Sequence, residues 1–268
     1  MKYAFMSFST PELNLTEMLA AAVKYGYDGV ELRIDAGHAH GVELDSSERR
    51  RSEAGAEAAG AGIAIACIAT SLKYADPAKA GETVKQTHRC IDLAGDVGSP
   101  AIRAFGGAIP DGVSRGKAIE TAAESLKSAA DHAAERGVTI CLETHDAWCD
   151  PAHVAEALAR VDHPNVAANW DILHPVRTGH ATLEQSFETL KPWIRHLHIH
   201  DGTGKGIEMT PIGQGIIDHR RLLELLASIQ FDGYLSGEWI NWEPYNVHLP
   251  REIATLKEYE CQLSRNAE

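Results

Sequence analysis

Four short apolar runs in the second half of the sequence each carry an acidic residue or a histidine at one end. They are ICLE, ending at Glu143, AANWD, ending at Asp171, HLHIH, containing His198, and YLSGE, ending at Glu238. Three carboxylates and one imidazole are a mostly hard-oxygen donor set that suits Mn²⁺, Mg²⁺ or Co²⁺, with Zn²⁺ as a further alternative. A buried carboxylate is costly when it is unpaired, and a shared cation removes that cost. The pattern predicts one divalent metal site built from these four residues.

Each of these residues also has a purely structural interpretation. Glu143 and Glu238 could form ion pairs at strand ends, Asp171 could cap a short turn, and the histidines of HLHIHD could hydrogen-bond to carbonyl groups. Four such accidents would have to fall on successive strands at one end of a sheet. The conjunction therefore favours a shared metal ion.

The elements that would position these residues alternate between short β-rich runs and longer helical segments. Eight strand and helix pairs in 268 residues match a (β/α)8 TIM barrel in one domain, residues 1–268, better than an open doubly wound sheet. No GxGxxG motif follows the first strand, as a dinucleotide-binding sheet would require. The predicted strands are 3–8, 29–34, 63–69, 101–105, 138–143, 166–170, 194–200 and 234–239, and the helices are 13–24, 46–59, 79–94, 114–136, 152–160, 183–190, 219–229 and 251–263.

Composition narrows the function classes. A formal charge of −13 argues against nucleic acid or an anionic membrane as a partner, since both select clustered Lys and Arg. The five cysteines are scattered without a CxxC pair, which indicates neither a disulfide framework nor a structural zinc site. No secretory or membrane-spanning segment is recognisable. We predict a cytoplasmic protein that binds a small molecule.

The motifs LETH, WDILH, HLHIHD and SGEW, in this order and spacing, resemble those of the xylose isomerase-like TIM barrels. The resemblance spans nearly the whole chain, from GYDGVEL to GQGIIDHRRLLELLASIQFDGYLSGEW. It implies a metal held by Glu143, Asp171, His198 and Glu238. The family pattern H-x-x-[DE] selects His198 among the neighbouring histidines because Asp201 stands three residues later.

The resemblance also implies an activity. Sugar or sugar phosphate isomerases and epimerases of this group move a proton beside a carbonyl through a metal-stabilised enediolate, with Mn²⁺ the favoured ion here. Glu143 and Glu238 would be the acid–base pair. A carbohydrate would be the substrate, and a homodimer or a homotetramer would be the assembly. The candidate substrate-binding residues are His174, which completes the D-x-x-H element, together with His200, Arg103, His145 and Trp239.

Three alternatives stay open at this point. An inosose-type dehydratase would use the same site, and a non-catalytic sugar-binding module would bind without turnover. An endonuclease IV-like hydrolase is disfavoured by the acidic charge and by the absence of histidines from IACIATS and IRAFGG, the third and fourth strands. Relatives that epimerise free ketohexoses carry a Glu and an Arg where this chain has Cys149 and Gly204, which weighs against that particular substrate.

Overall fold

The computed structural model describes residues 1–204, 206 and 208–266. Eight parallel strands close into a barrel in the order β1-β10-β7-β6-β5-β4-β3-β2, so the predicted TIM barrel in a single domain is confirmed. The barrel strands are β1 (Lys2–Met6), β2 (Gly29–Arg33), β3 (Ala64–Lys73), β4 (Ala101–Phe105), β5 (Thr139–Glu143), β6 (Val166–Asp171), β7 (Ile194–Ile199) and β10 (Tyr234–Gly237). Two short strands, β8 (Asp201–Gly202) and β9 (Met209–Thr210), form an antiparallel ladder outside the barrel.

Helices surround the barrel and cover its outer face. They are α1 (Leu15–Tyr25), α2 (Glu48–Ala61), α3 (Ala80–Val97), α4 (Arg115–Glu135), α5 (Pro151–Val161), α6 (Leu173–Arg177), α7 (Leu183–Leu190), α8 (His219–Ser228) and α9 (Tyr245–Asn266). None of the helices in the described ranges combines the length and the apolar character that crossing a bilayer requires.

Helix α1 illustrates how local sequence sets these elements. The Asn14 side chain accepts the N–H of Glu17, whose carboxylate in turn accepts the N–H of Asn14, which forms a capping box. Gly26 ends the helix with φ of 82°, a left-handed conformation that favours glycine. The helix buries one stripe of side chains at helical spacing, Leu15, Met18, Leu19 and Ala22.

The barrel interior has two layers of different chemistry. Cys67, Ala101, Cys141 and Ala167 form a small cluster in which every member is buried. Cys141 lies two residues before Glu143 on β5, so both side chains face the interior, with Glu143 closer to the carboxyl end. The barrel interior therefore has a lower layer of small, weakly polar side chains and, nearer the carboxyl ends of the strands, an upper acidic layer.

Two of the predicted boundaries differ from the structure for reasons that the structure makes clear. The first strand ends at Met6 instead of residue 8, because Ser7–Ser9 turns into a 3₁₀ helix. The last helix starts at Tyr245 and not at residue 251, and it includes Pro250. A proline is normally a poor helix-interior residue, but here buried Leu249 packs into the core and its carbonyl accepts the Tyr27 hydroxyl at 3.0 Å. Tertiary contacts thus hold a turn that local propensity disfavours.

Candidate metal centre

The four predicted ligands converge at the carboxyl end of the barrel. Glu143 ends β5, Asp171 ends β6, His198 lies near the end of β7, and Glu238 directly follows β10. One ligand atom from each of the four lies within 4.8 Å of the others, and all four residues are buried. Among the described residues, they therefore form a group able to hold one metal ion.

The distances within this group fit a shared coordination sphere. His198 Nδ1 lies 2.8 Å from Glu143 Oε1 and 3.3 Å from Glu238 Oε2. Two donor atoms at right angles around one ion, each about 2.1–2.3 Å from it, lie about 3 Å apart. Glu143 Oε2 is buried and has no hydrogen-bond partner among the described residues, which leaves it available as a ligand. The donor set and its spacing both suit a divalent cation.

Glu31 is a candidate functional residue that the motif pattern did not identify. It lies on β2 and is completely buried, with Oε1 3.1 Å from His198 Nε2 and Oε2 2.8 Å from His196 Nε2. A histidine whose Nδ1 binds a metal usually donates its other N–H to a carboxylate, which fixes the ring orientation and tautomer. Glu31 is placed to do this for His198. The available signal was an acid inside the otherwise apolar run GVEL.

His196 occupies the deeper position that alternation along a strand predicts. Its ring lies 5.7 Å from that of His198, between centroids, and it is bound to Glu31. Burial alone raises the pKa of Glu31, but the positive charges of His198 and His196 outweigh this effect and hold it well below its usual range. Glu31 therefore stays ionised beneath the candidate ligands.

Asp171 has two roles, because its two oxygens face different partners. Oδ1 accepts the N–H groups of Leu173 and His174, both at 2.9 Å, and so caps helix α6. Oδ2 accepts His200 Nε2 at 2.9 Å. Asp171 therefore bonds to the first turn of α6 and also lies in the acidic cluster, and α6 is the turn that brings His174 back over the site.

His174 is held in one tautomer by a neighbouring arginine. Arg177 Nη2 donates to His174 Nδ1 at 2.7 Å, so the proton of a neutral ring resides on Nε2, which lies 3.9 Å from Asp171 Oδ2. Burial lowers the pKa of His174, against the opposing charge of Asp171. His174 is thus a neutral donor that faces the acidic cluster.

A row of aromatic rings continues from His174 across the barrel mouth. The ring of His145 lies 4.3 Å from that of His174 and 4.8 Å from Phe105, and His200 lies 5.9 Å beyond His174, all between centroids. His145 Nδ1 is 2.9 Å from Asp146 Oδ1, but not along a hydrogen-bond direction. Three of the predicted substrate-binding residues therefore line one side of the mouth.

Arg103 is a buried counter-charge of the acidic cluster. Its Nε lies 3.4 Å from Glu143 Oε2 without hydrogen-bond geometry, and its Nη1 donates to the Thr70 carbonyl at 2.9 Å. The guanidinium also lies 4.0 Å from the centre of the Phe105 ring. Trp239, the remaining predicted substrate-binding residue, is 1% exposed and packs against His248. The structure places Arg103 beside the cluster and Trp239 in the surrounding wall.

The carboxylates shift the pKa values of the adjacent histidines. Burial lowers the pKa of His198, but the charges of Glu31, Glu238 and Glu143 raise it well above its usual range. Burial likewise opposes ionisation of Glu238, yet His198 and Arg103 lower its pKa to about 2. The protein groups alone thus favour an imidazolium among carboxylates. A metal ion would replace that proton, because metal ligands must be deprotonated.

Asp201, the last residue of the HxxD pattern, organises the backbone around the site. Its carboxylate accepts the N–H groups of Gly213 at 3.0 Å and Gly215 at 2.9 Å through Oδ2, and that of Ile217 at 3.2 Å through Oδ1. It is fully buried and belongs to no candidate metal group among the described residues. Its role is to fix the segment that follows β9.

Comparison with known proteins agrees with this geometry. A curated relative, 3-dehydroshikimate dehydratase of Bacillus anthracis, is 23% identical over 278 residues, covering 96% of this chain and 96% of the relative. The crystal structure of the probable 3-DHS dehydratase AsbF, involved in petrobactin synthesis in the same organism, matches with a TM-score of 0.80 and 23% identity over 96% of this chain and 99% of that one. A D-tagatose 3-epimerase-like protein matches with a TM-score of 0.80 and 22% identity over 100% of both chains.

These structural likenesses show a shared fold. The family model described as xylose isomerase-like TIM barrel matches residues 19–259, which is most of the barrel and includes every candidate ligand. The chain belongs to the xylose isomerase-like TIM barrel family.

Proposed function

We propose that this protein is a metal-dependent sugar or sugar phosphate isomerase or epimerase that removes a proton beside a carbonyl group. One observation carries the proposal. Glu143 and Glu238 approach the same atom, His198 Nδ1, at 2.8 and 3.3 Å from different strands of the barrel. Two carboxylates bordering one point can serve as proton acceptor and proton donor for a substrate held between them.

Glu143, Asp171, His198 and Glu238 would hold the divalent ion, and the chemistry it would supply there is Lewis-acid stabilisation of negative charge on the substrate oxygen. We propose Mn²⁺, because three carboxylates and one imidazole match its preference for oxygen with some nitrogen. The protein groups perform the proton transfer. One glutamate accepts the proton from the carbon beside the carbonyl, and the other returns a proton to the opposite face or to the neighbouring carbon.

The histidines would orient the substrate. His174 carries its proton on Nε2 and can donate a hydrogen bond to a substrate oxygen. The pKa of His145 lies above its usual range: burial lowers it, while Asp146 and then Glu143 raise it more strongly. A protonated His145 at the mouth would balance negative charge that develops on the substrate. Arg103, which lies beside Glu143, and Trp239, which lies in the surrounding wall, would hold the site residues in position.

A dehydratase is the second candidate function, and two observations favour it. The full-length curated relative is a 3-dehydroshikimate dehydratase, although it is only 23% identical. The row formed by His145, His174 and His200 also offers proton donors beside the acidic cluster. After one glutamate takes the proton beside the carbonyl, a histidine can protonate the departing β-hydroxyl, and the products are an enone and water.

One assay separates these functions. The Mn²⁺-loaded protein is incubated in D₂O with ketoses, ketose phosphates, hydroxypyruvate, inososes and cyclic keto acids, and NMR follows deuterium uptake beside the carbonyl. An isomerase or epimerase returns a deuterated sugar of altered structure, whereas a dehydratase releases water and generates an enone signal. Binding without any exchange across the panel would contradict catalysis and favour a sugar-binding module.

A further inference from the structure

Arg33 is a half-buried cation at the mouth of the barrel. It ends β2 two residues after Glu31, so alternation places its side chain on the same interior face, nearer the opening. Its guanidinium donates to the Ala69 carbonyl at 3.3 Å, to the Ile34 carbonyl and to Ser71 Oγ at 2.7 Å. Among the described residues, no carboxylate oxygen lies within 4.0 Å of it. The hydrogen bonds that its guanidinium makes in the described part of the chain are therefore all to neutral groups.

This arrangement differs from that of the neighbouring arginine. Arg103 is paired with Glu143, and its Nη1 donates to the Thr70 carbonyl at 2.9 Å. Arg33 contacts residues on either side of Thr70, at Ala69 and Ser71, so the two guanidinium groups flank one short segment at the end of β3. Burial and then the charge of Arg103 lower the pKa of Arg33, against weaker opposing effects of Asp35, Glu238 and Glu43. Arg33 and Arg103 thus place two positive charges near each other, and of the two it is Arg103 that contacts an acidic residue, Glu143.

Neutral hydrogen-bonding groups lie next to Arg33, Ser71 at its side chain and Ser7 at its backbone N–H. Ser71 is exposed and accepts from Nη2, and its hydroxyl proton is free to point outward. Ser7 Oγ accepts the backbone N–H of Arg33 at 2.9 Å and lies 2.9 Å from His38 Nδ1. His38 packs edge-on against Phe8 with centroids 5.1 Å apart. Burial, and then the charge of Arg33, lower the pKa of His38, so its ring is neutral.

There is space beside this group for more than a reacting carbonyl. Ser71 also lines a groove of about 1040 Å³ that runs between the segment after β2, the segment after β3 and helix α3. Asp35, Leu72 and Lys73 belong to the same lining. The groove meets the Arg33 group at Ser71 and has a lining of mixed charge, so the part of a substrate that extends beyond the anchored oxyanion could occupy it.

We propose that Arg33, with Ser71 and His38, binds an oxyanion group of the substrate, a carboxylate or a phosphate, some atoms away from the reacting carbonyl. The inference rests on the proposed function and specifies its substrate class as anionic. A guanidinium presents paired N–H donors that match such oxygens, and hydrogen bonds to charged groups are stronger than those between neutral ones. An anionic substrate would supply a negatively charged group in direct contact with Arg33, which none of the described carboxylates provides.

Matched substrate pairs test the proposal. A ketose is compared with its phosphate, and a cyclic keto acid with its carboxamide, in the D₂O exchange assay with Mn²⁺ present. The anionic member of at least one pair should react with the higher kcat/KM. Arg33→Met should raise KM for that anion about 10- to 100-fold and leave the neutral member unchanged, since one charge-assisted interaction is lost. Comparing phosphate with carboxylate identifies which oxyanion is used.

A control variant removes the same positive charge at a distant place in the barrel. Arg195→Met removes one positive charge from the opposite end of the barrel, where Arg195 donates to the Ile194 carbonyl at 2.8 Å, and should leave KM unchanged. Equal effects of both variants, or an unchanged KM in Arg33→Met, would overturn the inference. Faster exchange with the neutral member of every pair would overturn it as well.

A binding experiment separates this inference from the proposed function. Inorganic phosphate and acetate are titrated into the Mg²⁺-loaded protein while NMR follows the backbone N–H signals of Ser71 and His38, which the Arg33→Met and Arg195→Met variants both retain. Saturable shifts that weaken at least tenfold in Arg33→Met, but not in Arg195→Met, would support the anion site even if no compound in the panel exchanged. Absence of such shifts with both anions would refute the site whatever the enzyme catalyses.

Discussion

The two layers of the barrel interior differ in charge: one consists of neutral side chains, and the other gathers three carboxylates and a histidine. The lower layer consists of Cys67, Ala101, Cys141 and Ala167, which fill space and carry no charge at neutral pH. The upper layer, built from the same strands and their neighbours, gathers Glu143, Asp171, His198 and Glu238 within 4.8 Å. Burial raises the pKa of Cys141 to about 12, so the lower layer stays neutral.

The difference suggests a division of roles: the lower layer contributes mainly to the stability of the barrel, and the upper layer mainly to its proposed function. Small neutral side chains in the lower layer stabilise the fold by packing, without electrostatic cost. The upper layer places like charges together, which costs folding free energy unless cations compensate. Arg103 and His198 provide part of that compensation, and a metal ion would provide the rest. The following predictions test this division, from the largest effect to the smallest.

The largest effect should come from the two glutamates of the upper layer. Glu143→Gln or Glu238→Gln keeps the shape and one oxygen donor but cannot accept a proton, so turnover should fall about 10²–10⁴-fold. Metal affinity, measured by calorimetry, should fall less. Glu188→Gln on exposed α7 serves as the charge-matched control. Near-native turnover in both variants would contradict the two-carboxylate mechanism.

The two glutamate variants also distinguish the type of reaction. An epimerase with one base on each face predicts that each single variant still exchanges the proton of one stereoisomer while net interconversion stops. A single-base isomerase predicts that one variant is inactive in every assay and the other is merely weakened. Stereospecific deuterium uptake, measured by NMR, separates these outcomes.

Metal removal should destabilise the protein because it leaves the carboxylates of the upper layer mutually repulsive. A ligand present at 100 times its Kd stabilises the native state by about 2.7 kcal/mol. Chelation should therefore lower the Tm by roughly 5–10 °C for a chain of this size. Calorimetric scans before and after EDTA treatment, with metal content verified, provide the measurement. An unchanged Tm would mean that protein groups alone hold the cluster.

The fold was predictable from sequence to the extent that local pattern determines it. Helix α7, Leu183–Leu190, has the predicted bounds because Thr182 and Gln185 form a capping box at its start. Strand β4 likewise has its predicted bounds. Helix α6 was not predicted, since Pro175 lies inside it and only the carboxylate of Asp171 caps its first turn. Its existence depends on one side chain that the sequence pattern had assigned to a metal.

The candidate site was predictable where chemistry falls at strand ends, and not where it depends on distant contacts. The four candidate ligands converge as the sequence predicted. Glu31 was not predicted as a site residue because its partners, His196 and His198, are 165 and 167 residues away in the chain. Arg33 was not predicted for a related reason, since only the structure shows that no carboxylate oxygen among the described residues lies within 4.0 Å of it. The periodicity of a segment indicates its secondary structure, but it does not indicate which distant residues its side chains will contact.

Glu31 lies just beneath the candidate ligands and should affect metal binding more than stability. Glu31→Gln preserves shape but weakens the acceptor for His198 Nε2, and loss of such a partner typically lowers metal affinity about 10–100-fold. Titration with Mn²⁺ measures this effect, and ¹⁵N NMR reports the tautomer of His198. Glu188→Gln again serves as the control. Unchanged affinity together with an unchanged tautomer would show that Glu31 does not position the ligand.

The lower layer should show the reverse behaviour, with the smallest effect. Cys141→Ala removes one buried sulfur and should reduce the free energy of unfolding by about 1 kcal/mol through lost packing. Metal affinity and turnover should stay within about twofold of wild type. Denaturant titration and calorimetry provide the two readouts. A large loss of metal affinity in this variant would break the proposed separation between the two layers.

The most direct test of the central claim is anomalous X-ray diffraction from crystals grown with Mn²⁺, using data collected on both sides of the manganese absorption edge. We predict a single strong anomalous peak at the carboxyl end of the barrel, about 2.0–2.6 Å from one atom each of Glu143, Asp171, His198 and Glu238. A peak bound elsewhere, or side chains of these four residues directed away from a common point at full manganese occupancy, would contradict the account.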